Sequence, residues 1–310
     1  MSERTRDYRV TCLSEALAPI THMAGVSGNE AIVAREPVAT DRGVRWVPVL
    51  SGNALRHRCV RAPGMDWLVR EYGLSGKLSL AALNFLFHGG SLTEGGGRED
   101  TRRIADFQRL WPLGRLLGGS LPDQILAGSL HSWRGALVCE ENRVYLSSVV
   151  PDPSTLPGAL RPAESFVSGY QYTRGDAAKG RARDLVDLDA QADSNLMIFA
   201  GQAIVRGAVF VHGFALPHAS EAELGALLWS LSLWQAGGGT VGGQAARGHG
   251  RLRLYLIDPD FDADAAIAVY LDHARCVKDE AVAWLEAAFA PRGAKKAAKG
   301  RGKAEEADDE

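Results

Sequence analysis

The stretch from 220 to 257 constrains the chain more than any other. Ser220 followed three residues later by Glu223 is a reciprocal helix start, and Leu224, Leu227, Leu228, Leu231 and Trp234 then recur at helical spacing through 220–235. The segment GGGTVGGQAARGHG (237–250) follows, and RLRLYLI (251–257) alternates as a strand. A loop that carries so little side chain cannot hold a core of its own. Glycines clustered at such a junction suggest a loop that must come close to something.

The rest of the chain also divides into strands and helices. Residues 7–13 (DYRVTCL) form a first strand, and 26–49 a weakly alternating paired arm with Asp41-Arg42-Gly43 at its tip. Ser51 or Asn53 caps a helix carrying Leu55, Cys59 and Val60, which Pro63-Gly64 is expected to break or kink before a second helical stretch ends near Tyr72-Gly73. Residues 77–117 are mostly helical apart from a glycine insert at 89–97. Residues 124–150 return to strand character with a turn at Glu141-Asn142, and the four prolines of 151–162 mark a connector. Residues 163–186 lack a core pattern and read as a projecting insertion. Residues 196–214 make one long or two paired buried strands, with Gly201 and Gly207 as bulges, and 262–289 a last helix. The order is strand, helix, inserted material, strand pair, helix, glycine loop, strand: an α+β βαββαβ unit of ferredoxin-like type. This places one domain at 1–290, with a palm at 7–60 and 196–257, a helical insertion at about 62–120, and a disordered charged tail at 291–310.

Charge is segregated. The formal net charge of the 310 residues is −2, which excludes a globally basic nucleic-acid binder but not a locally basic one. Residues 51–70 (Arg56, Arg58, Arg61 and Arg70 against Asp66) are net +3, and 242–253 (Arg247, Arg251 and Arg253) are also +3. The insertion 161–184 is +2, whereas 255–290 is −6. Cationic stretches at a helix start and a glycine loop favour a phosphate-binding surface over a merely solvated one. Glycines 242, 243, 248 and 250 expose backbone N–H groups and permit close approach of a polyanion, and Arg247 and His249 add charge and stacking surface. The loop follows a helix and precedes a strand, opposite to the usual mononucleotide loop. Four cysteines (Cys12, Cys59, Cys139, Cys276) without a CxxC pair indicate reduced thiols rather than zinc or disulfides. With no signal peptide and no long apolar run, a cytoplasmic protein without membrane contact is expected.

The loop GGxxxRGxGRL, the segment VPVLSGNALRHRCVR, the strand IVRGAVF and the turn LLGGS together resemble, in this order, the CRISPR-associated RAMP superfamily. The length and the insertion at 163–186 are similar to the backbone subunit that polymerises along guide RNA. THMAGVSGNEAIVAREPV and ALNFLFHGGSLTEGGG look most like the type IV version. The resemblance implies an RRM-like palm with a thumb-like β-hairpin, which binds the sugar-phosphate backbone of a guide (CRISPR) RNA and presents it to target nucleic acid. It implies partnership with copies of itself in a helical filament and with other effector subunits, and no cofactor or metal. Carried onto this sequence, it places Arg35, Ser51, Gly52, Asn53, Arg56 and His57 against phosphates, with Arg58 and Arg61 extending the track. Gly242, Gly243, Gln244, Arg247, Gly248 and His249 form the facing lip, and Phe166, Tyr170, Tyr172 and Arg174 the thumb. Local packing in a hairpin is the alternative for the tyrosines.

Some type III relatives of this kind cleave target RNA with an aspartate after the first strand. The corresponding segment here holds Glu30 and Glu36 but no aspartate before Asp41, so a binder without catalysis is expected. Cleavage through Glu30 and an unrelated nucleotide-using enzyme are the alternatives. His212 and His218 read as structural, and His22 and His88 stand beside glycine-rich loops where RNA contact is open to them. The run DPDFDAD (258–264) lacks the glycine and terminal glutamate of a calcium loop and reads as an acidic helix start.

Overall fold

The computed structural model describes residues 5–27, 30–93, 100–173 and 198–290. It begins with five strands: β1 (Arg6–Ala16), β2 (Met23–Ser27), β3 (Glu30–Val33), β4 (Arg35–Thr40) and β5 (Gly43–Leu50). Helices α1 (Gly52–Leu55) and α2 (Ala62–Glu71) flank a π-helical turn at Arg56–Arg61, and α3 (Leu80–His88), α4 (Thr101–Leu110) and α5 (Pro112–Leu117) follow. Short strands β6 (Gly119–Ser120), β7 (Ile125–Leu126), β8 (His131–Ser132) and β9 (Gly135–Leu137) lead to α6 (Arg143–Ser147). The chain then forms β10 (Val167–Thr173), β11 (Ile198–Ile204), β12 (Val209–Ala219), α7 (Glu221–Ala236), β13 (Leu252–Leu256) and α8 (Ala263–Ala288).

The main sheet has the order β13-β1-β12-β9-β5-β4, with β8 also on β12. β1 is paired antiparallel on both sides, with Cys12 opposite His212 of β12 and Leu256 of β13. Strict alternation in β1 buries Tyr8, Val10, Cys12, Ser14 and Ala16. On β12, Phe210, Phe214 and Leu216 join the main core, while Val209 and Val211 join a smaller one with Val138, Leu146, Val150 and Ala159. Each neighbour pairing from β13 to β9 is antiparallel. His212 is fully buried, with Nε2 2.8 Å from Ser14 Oγ, and burial holds its imidazole down at about 4. It is a neutral structural histidine.

Helix α7 carries the expected cap, Ser220 and Glu223 bonding each other's backbone N–H. Its surroundings differ from the amphipathic expectation: it is buried on nearly every side because α8, α5 and the α1–α2 stretch all pack on it. The buried Glu223 carboxylate is paired with Arg115 of α5. Gly225 permits the closest approach to α8, since a Cβ there would meet the Ala266 carbonyl and lie 2.7 Å from Tyr270 Cβ.

Several sequence expectations are corrected. Pro63-Gly64 does not break the helix. The π turn ends with Ala62 donating to the carbonyl of His57, and Pro63 falls in the first turn of α2, where a missing N–H costs little. Residues 143–147 are helix rather than strand; Leu146 and Val150, four apart, turn into the small core while Val144 is 86% exposed. The 163–173 part of the expected projection is ordered structure, with Phe166 2% exposed beneath the Arg161 guanidinium (4.8 Å to the ring) and β10 paired along its length with β11. Phe166 is therefore a core residue and not part of a thumb. Strands β11 and β12 do not pair with each other, because β11 belongs to a second sheet, β10-β11-β3-β2. Gly201 sits in regular register opposite Tyr170 rather than in a bulge, and Gly207 (φ 85°) makes the turn between the sheets. The hairpin β4–β5 has the predicted tip, with Gly43 at φ 92°. Arg174, the remainder of 174–186, and the tail from 291 lie outside the described residues. Among the described residues no helix is long and apolar enough to cross a membrane.

Gly225→Ala is expected to destabilise the protein by about 2–4 kcal/mol, because the added methyl meets backbone that cannot yield without separating α7 from α8. The shift of the chemical-denaturation midpoint measures this; an unshifted midpoint would show that the helices part freely.

Candidate nucleic-acid interface

The site is built around the start of the helical stretch that follows β5. Ser51 caps it, its hydroxyl accepting from Ala54 N–H at 3.2 Å, and its own N–H donates to His22 Nε2 at 3.1 Å. That bond requires an unprotonated Nε2, and burial lowers the pKa of His22 in the same sense. Leu55, Cys59 and Val60 face the core, and Asn53 and Arg58 face solvent. A Cβ on Gly52 would stand 3.0 Å from the Ser132 carbonyl, so β8 passes close beside the helix start.

Arg56 and Arg61 turn toward the corner between α5 and β6. Arg61 is 8% exposed and donates to the carbonyls of Phe85 (3.4 Å), Leu86 (3.1 Å), Leu117 (3.1 Å) and Gly118 (3.0 Å). Burial, then the charge of Arg56, brings its pKa down to about 10, so it remains charged at neutral pH. Its guanidinium is spent on the protein, and the expected phosphate-track role of Arg61 gives way to that of a wall post. Arg56 Nη2 also donates to Leu117 O, while its Nε is buried without a hydrogen-bond partner. Burial lowers its pKa as well.

Two neighbouring cavities open on this stretch. One, of about 440 Å3, is lined by Thr21, His22, Met23, Ser51, Asn53, Ala54, His57, Arg58, Gly242 and Gly243. The other, of about 350 Å3, is lined by Asn53, Arg56, His57, Arg61, His88, Gly89, Leu117, Gly118 and Gly119. Asn53 and His57 belong to both, so the two form one groove, and among the described residues no carboxylate lines it. The helix start and the glycine loop, nearly 190 residues apart in sequence, thus face the same space.

The glycine loop is brought there by the segment after β1. Gly243 N–H donates to Thr21 O at 2.8 Å, and Thr21 Oγ1 is 2.6 Å from His249 Nδ1. Gly242 (φ 73°) lies against the Thr21 carbonyl where a Cβ would clash. Beyond these two glycines the loop leaves the cavity and clips onto β10. Gln244 Nε2 donates to Tyr170 OH at 2.6 Å, His249 meets the Tyr170 ring edge-on at 5.3 Å, and Arg247 Cζ lies 3.9 Å above the Tyr172 ring. Tyr172 continues the stack with Tyr170 (6.2 Å) and with Phe199 of β11 (5.1 Å). Gly248 (φ 84°) stands in open space. Burial and the Arg247 charge lower the pKa of His249.

Gln244, Arg247, Gly248 and His249 therefore flank the groove next to an aromatic strip rather than line its cavities. Arg35 lines neither cavity; it is half-buried opposite Pro48, with its Nε unpartnered. The structure adds Thr21, Met23, Ala54 and the Leu117–Gly119 corner, which the sequence did not single out as site residues. They lie inside the quoted segments THMAGVSGNEAIVAREPV, VPVLSGNALRHRCVR and LLGGS, but none stood out as a site residue; Thr21 acts through an isolated backbone bridge that leaves no periodicity. Among the described residues, no group of three or more His, Cys, Asp or Glu is placed to hold a metal ion.

No family model and no curated protein matches the chain. Among solved structures it is similar to a chain of a "Type IV-B CRISPR Complex", with a TM-score of 0.55 and 17% identity, covering 82% of this chain and 92% of that one. At that identity the likeness is one of fold.

Gly242→Ala is expected to release the loop from Thr21. Hydrogen exchange at the Gly243 amide should accelerate at least about tenfold, corresponding to about 1.4 kcal/mol of local opening. Unchanged protection would mean that the loop is held elsewhere.

Proposed function

We propose that this chain is first of all a single-strand-binding α+β protein, and more particularly a guide-RNA-binding backbone protomer of a multi-subunit CRISPR effector of type IV character. The observation that carries the reading is the shared groove: arginine-bearing residues 53–58 and glycines 242–243 face one cleft that no carboxylate lines among the described residues. Anions are favoured there irrespective of base identity, as a guide of variable sequence requires. The aromatic strip Tyr170–Tyr172–Phe199 flanking the loop offers stacking surface of the kind single strands use. The order β13-β1-β12-β9, with a helical stretch before β9 and α7 before β13, supports the ferredoxin-like reading of the palm. The likeness to a chain of the type IV-B complex supports the effector setting. In that setting the protomer would repeat along the RNA, contact other subunits and present the guide for pairing with a target, in the cytoplasm.

The protomer binds without cleaving in this reading. Glu30 stands exposed at the start of β3, outside both cavities, and among the described residues no acid lines the groove.

Arg58→Ala with Arg247→Ala tests the proposal, since both side chains are exposed, and Arg58→Ala alone leaves the Arg247 contact with Tyr172 in place. The slope of log affinity for single-stranded RNA against log salt should fall by about 1.4, two phosphates' worth. An unchanged slope would move the RNA elsewhere. Complementary RNA offered to the assembled complex with Mg2+ should stay intact; Glu30-dependent cleavage would replace the binder with a nuclease.

A further inference from the structure

The smaller cavity has a chemistry that phosphate contact along an open track does not require. It is a chamber of about 350 Å3 between the helix start, the end of α3 and the α5–β6 corner. Two imidazoles, His57 and His88, stand inside it nearly parallel, 6.1 Å apart with planes 24° from each other. The helix start contributes Asn53, Arg56, His57 and Arg61, with Arg58 adjacent; α3 contributes His88 and Gly89; the corner contributes Leu117, Gly118 and Gly119, none of them titratable. No carboxylate faces either imidazole among the residues lining the chamber.

We propose that this chamber is a phosphate subsite of the groove, taking one internal phosphodiester of a bound strand between Arg56 and the His57–His88 pair, and that its occupation takes up a proton. The proposal rests on the polynucleotide reading above. The donors remaining in the chamber point to it. Arg61 has spent its guanidinium on four carbonyls and supplies field rather than a fork, whereas Arg56 keeps a buried Nε with no acceptor. A neutral imidazole offers one N–H, a protonated one two. A phosphate supplies the anionic acceptor that the chamber's own residues lack. Burial lowers the pKa of His57, and Arg58, His88 and Arg61 lower it further. An anion seated against the ring opposes those charges, so binding and protonation favour each other. The chamber shares Asn53 and His57 with the open cavity, which makes a phosphate within the strand, rather than at its end, the natural occupant.

The test has two arms. In the first, the imidazole resonances of His57 and His88, assigned with His57→Gln and His88→Gln, are followed from pH 5 to 8 with and without inorganic phosphate. The His57 midpoint should rise by about one unit with phosphate; a midpoint that phosphate does not move overturns the chamber, whatever RNA does. In the second, fluorescence anisotropy of single-stranded RNA is measured across the same range at constant salt. Affinity should be about threefold higher at pH 6 than at pH 7.5, and this gain should disappear in His57→Gln and His88→Gln but persist in His218→Gln, an exposed imidazole that lines neither cavity. A gain that survives both chamber variants overturns the proposal. Midpoints that respond to phosphate in a protein that binds no RNA at any pH overturn the strand reading alone. A 5′-phosphorylated strand that binds several-fold tighter than its 5′-hydroxyl twin overturns the internal assignment and gives the chamber to a terminal phosphate.

Discussion

The buried guanidinium of Arg61 is the tie on which the groove depends. It donates to carbonyls at the end of α3 and at the end of α5, four acceptors from two helices gathered on one side chain. A buried charge is tolerable because each bond is charge-assisted and the acceptors are carbonyls at helix ends. Removing it would leave the Leu86 and Gly118 carbonyls short of a donor, while Phe85 keeps the Gly89 N–H and Leu117 keeps Arg56. The π turn that holds Arg61 also sets Arg56 beside it, so one local departure from α-helical spacing shapes an entire wall.

The opposite wall is held by backbone. Thr21 accepts from Gly243 and reaches His249, and the next residue, His22, accepts from the N–H of Ser51. Two consecutive residues after β1 therefore fasten the glycine loop on one side and the helix cap on the other. The cationic groove is a product of this junction: neither basic stretch makes a concave surface alone. The loop's outer residues complete the arrangement by gripping the tyrosines of β10, which links the groove to the second sheet.

Much of the fold was legible because it is written in local chemistry. The Ser220–Glu223 cap, the alternation of β1, the Asp41–Gly43 hairpin tip and the Ser51 cap each need only a few neighbouring residues. Failures occurred where the environment overrode the pattern. RVYLS alternates well enough to suggest a strand, yet Leu146 and Val150 satisfy the small core as a helical pair. Phe166 lies in a polar stretch that looks projecting, but Gly158 and Arg161 make a pocket for its ring. Pro63 reads as a breaker only if the preceding turn is α-helical, which it is not.

The sequence by itself determined which residue types would be available to meet an anion: glycines at 242, 243 and 248, arginines at 56, 58 and 247, and the serine cap at 51. Only the tertiary structure decided what each would do. It spent Arg61 on carbonyls, turned Arg247 onto Tyr172, and paired His57 with His88 from a helix 31 residues on. Residue type fixes charge and hydrogen-bonding capacity. Whether that capacity faces ligand or protein depends on which carbonyls and rings the fold brings within about 3–6 Å, and these come from segments that no spacing rule connects.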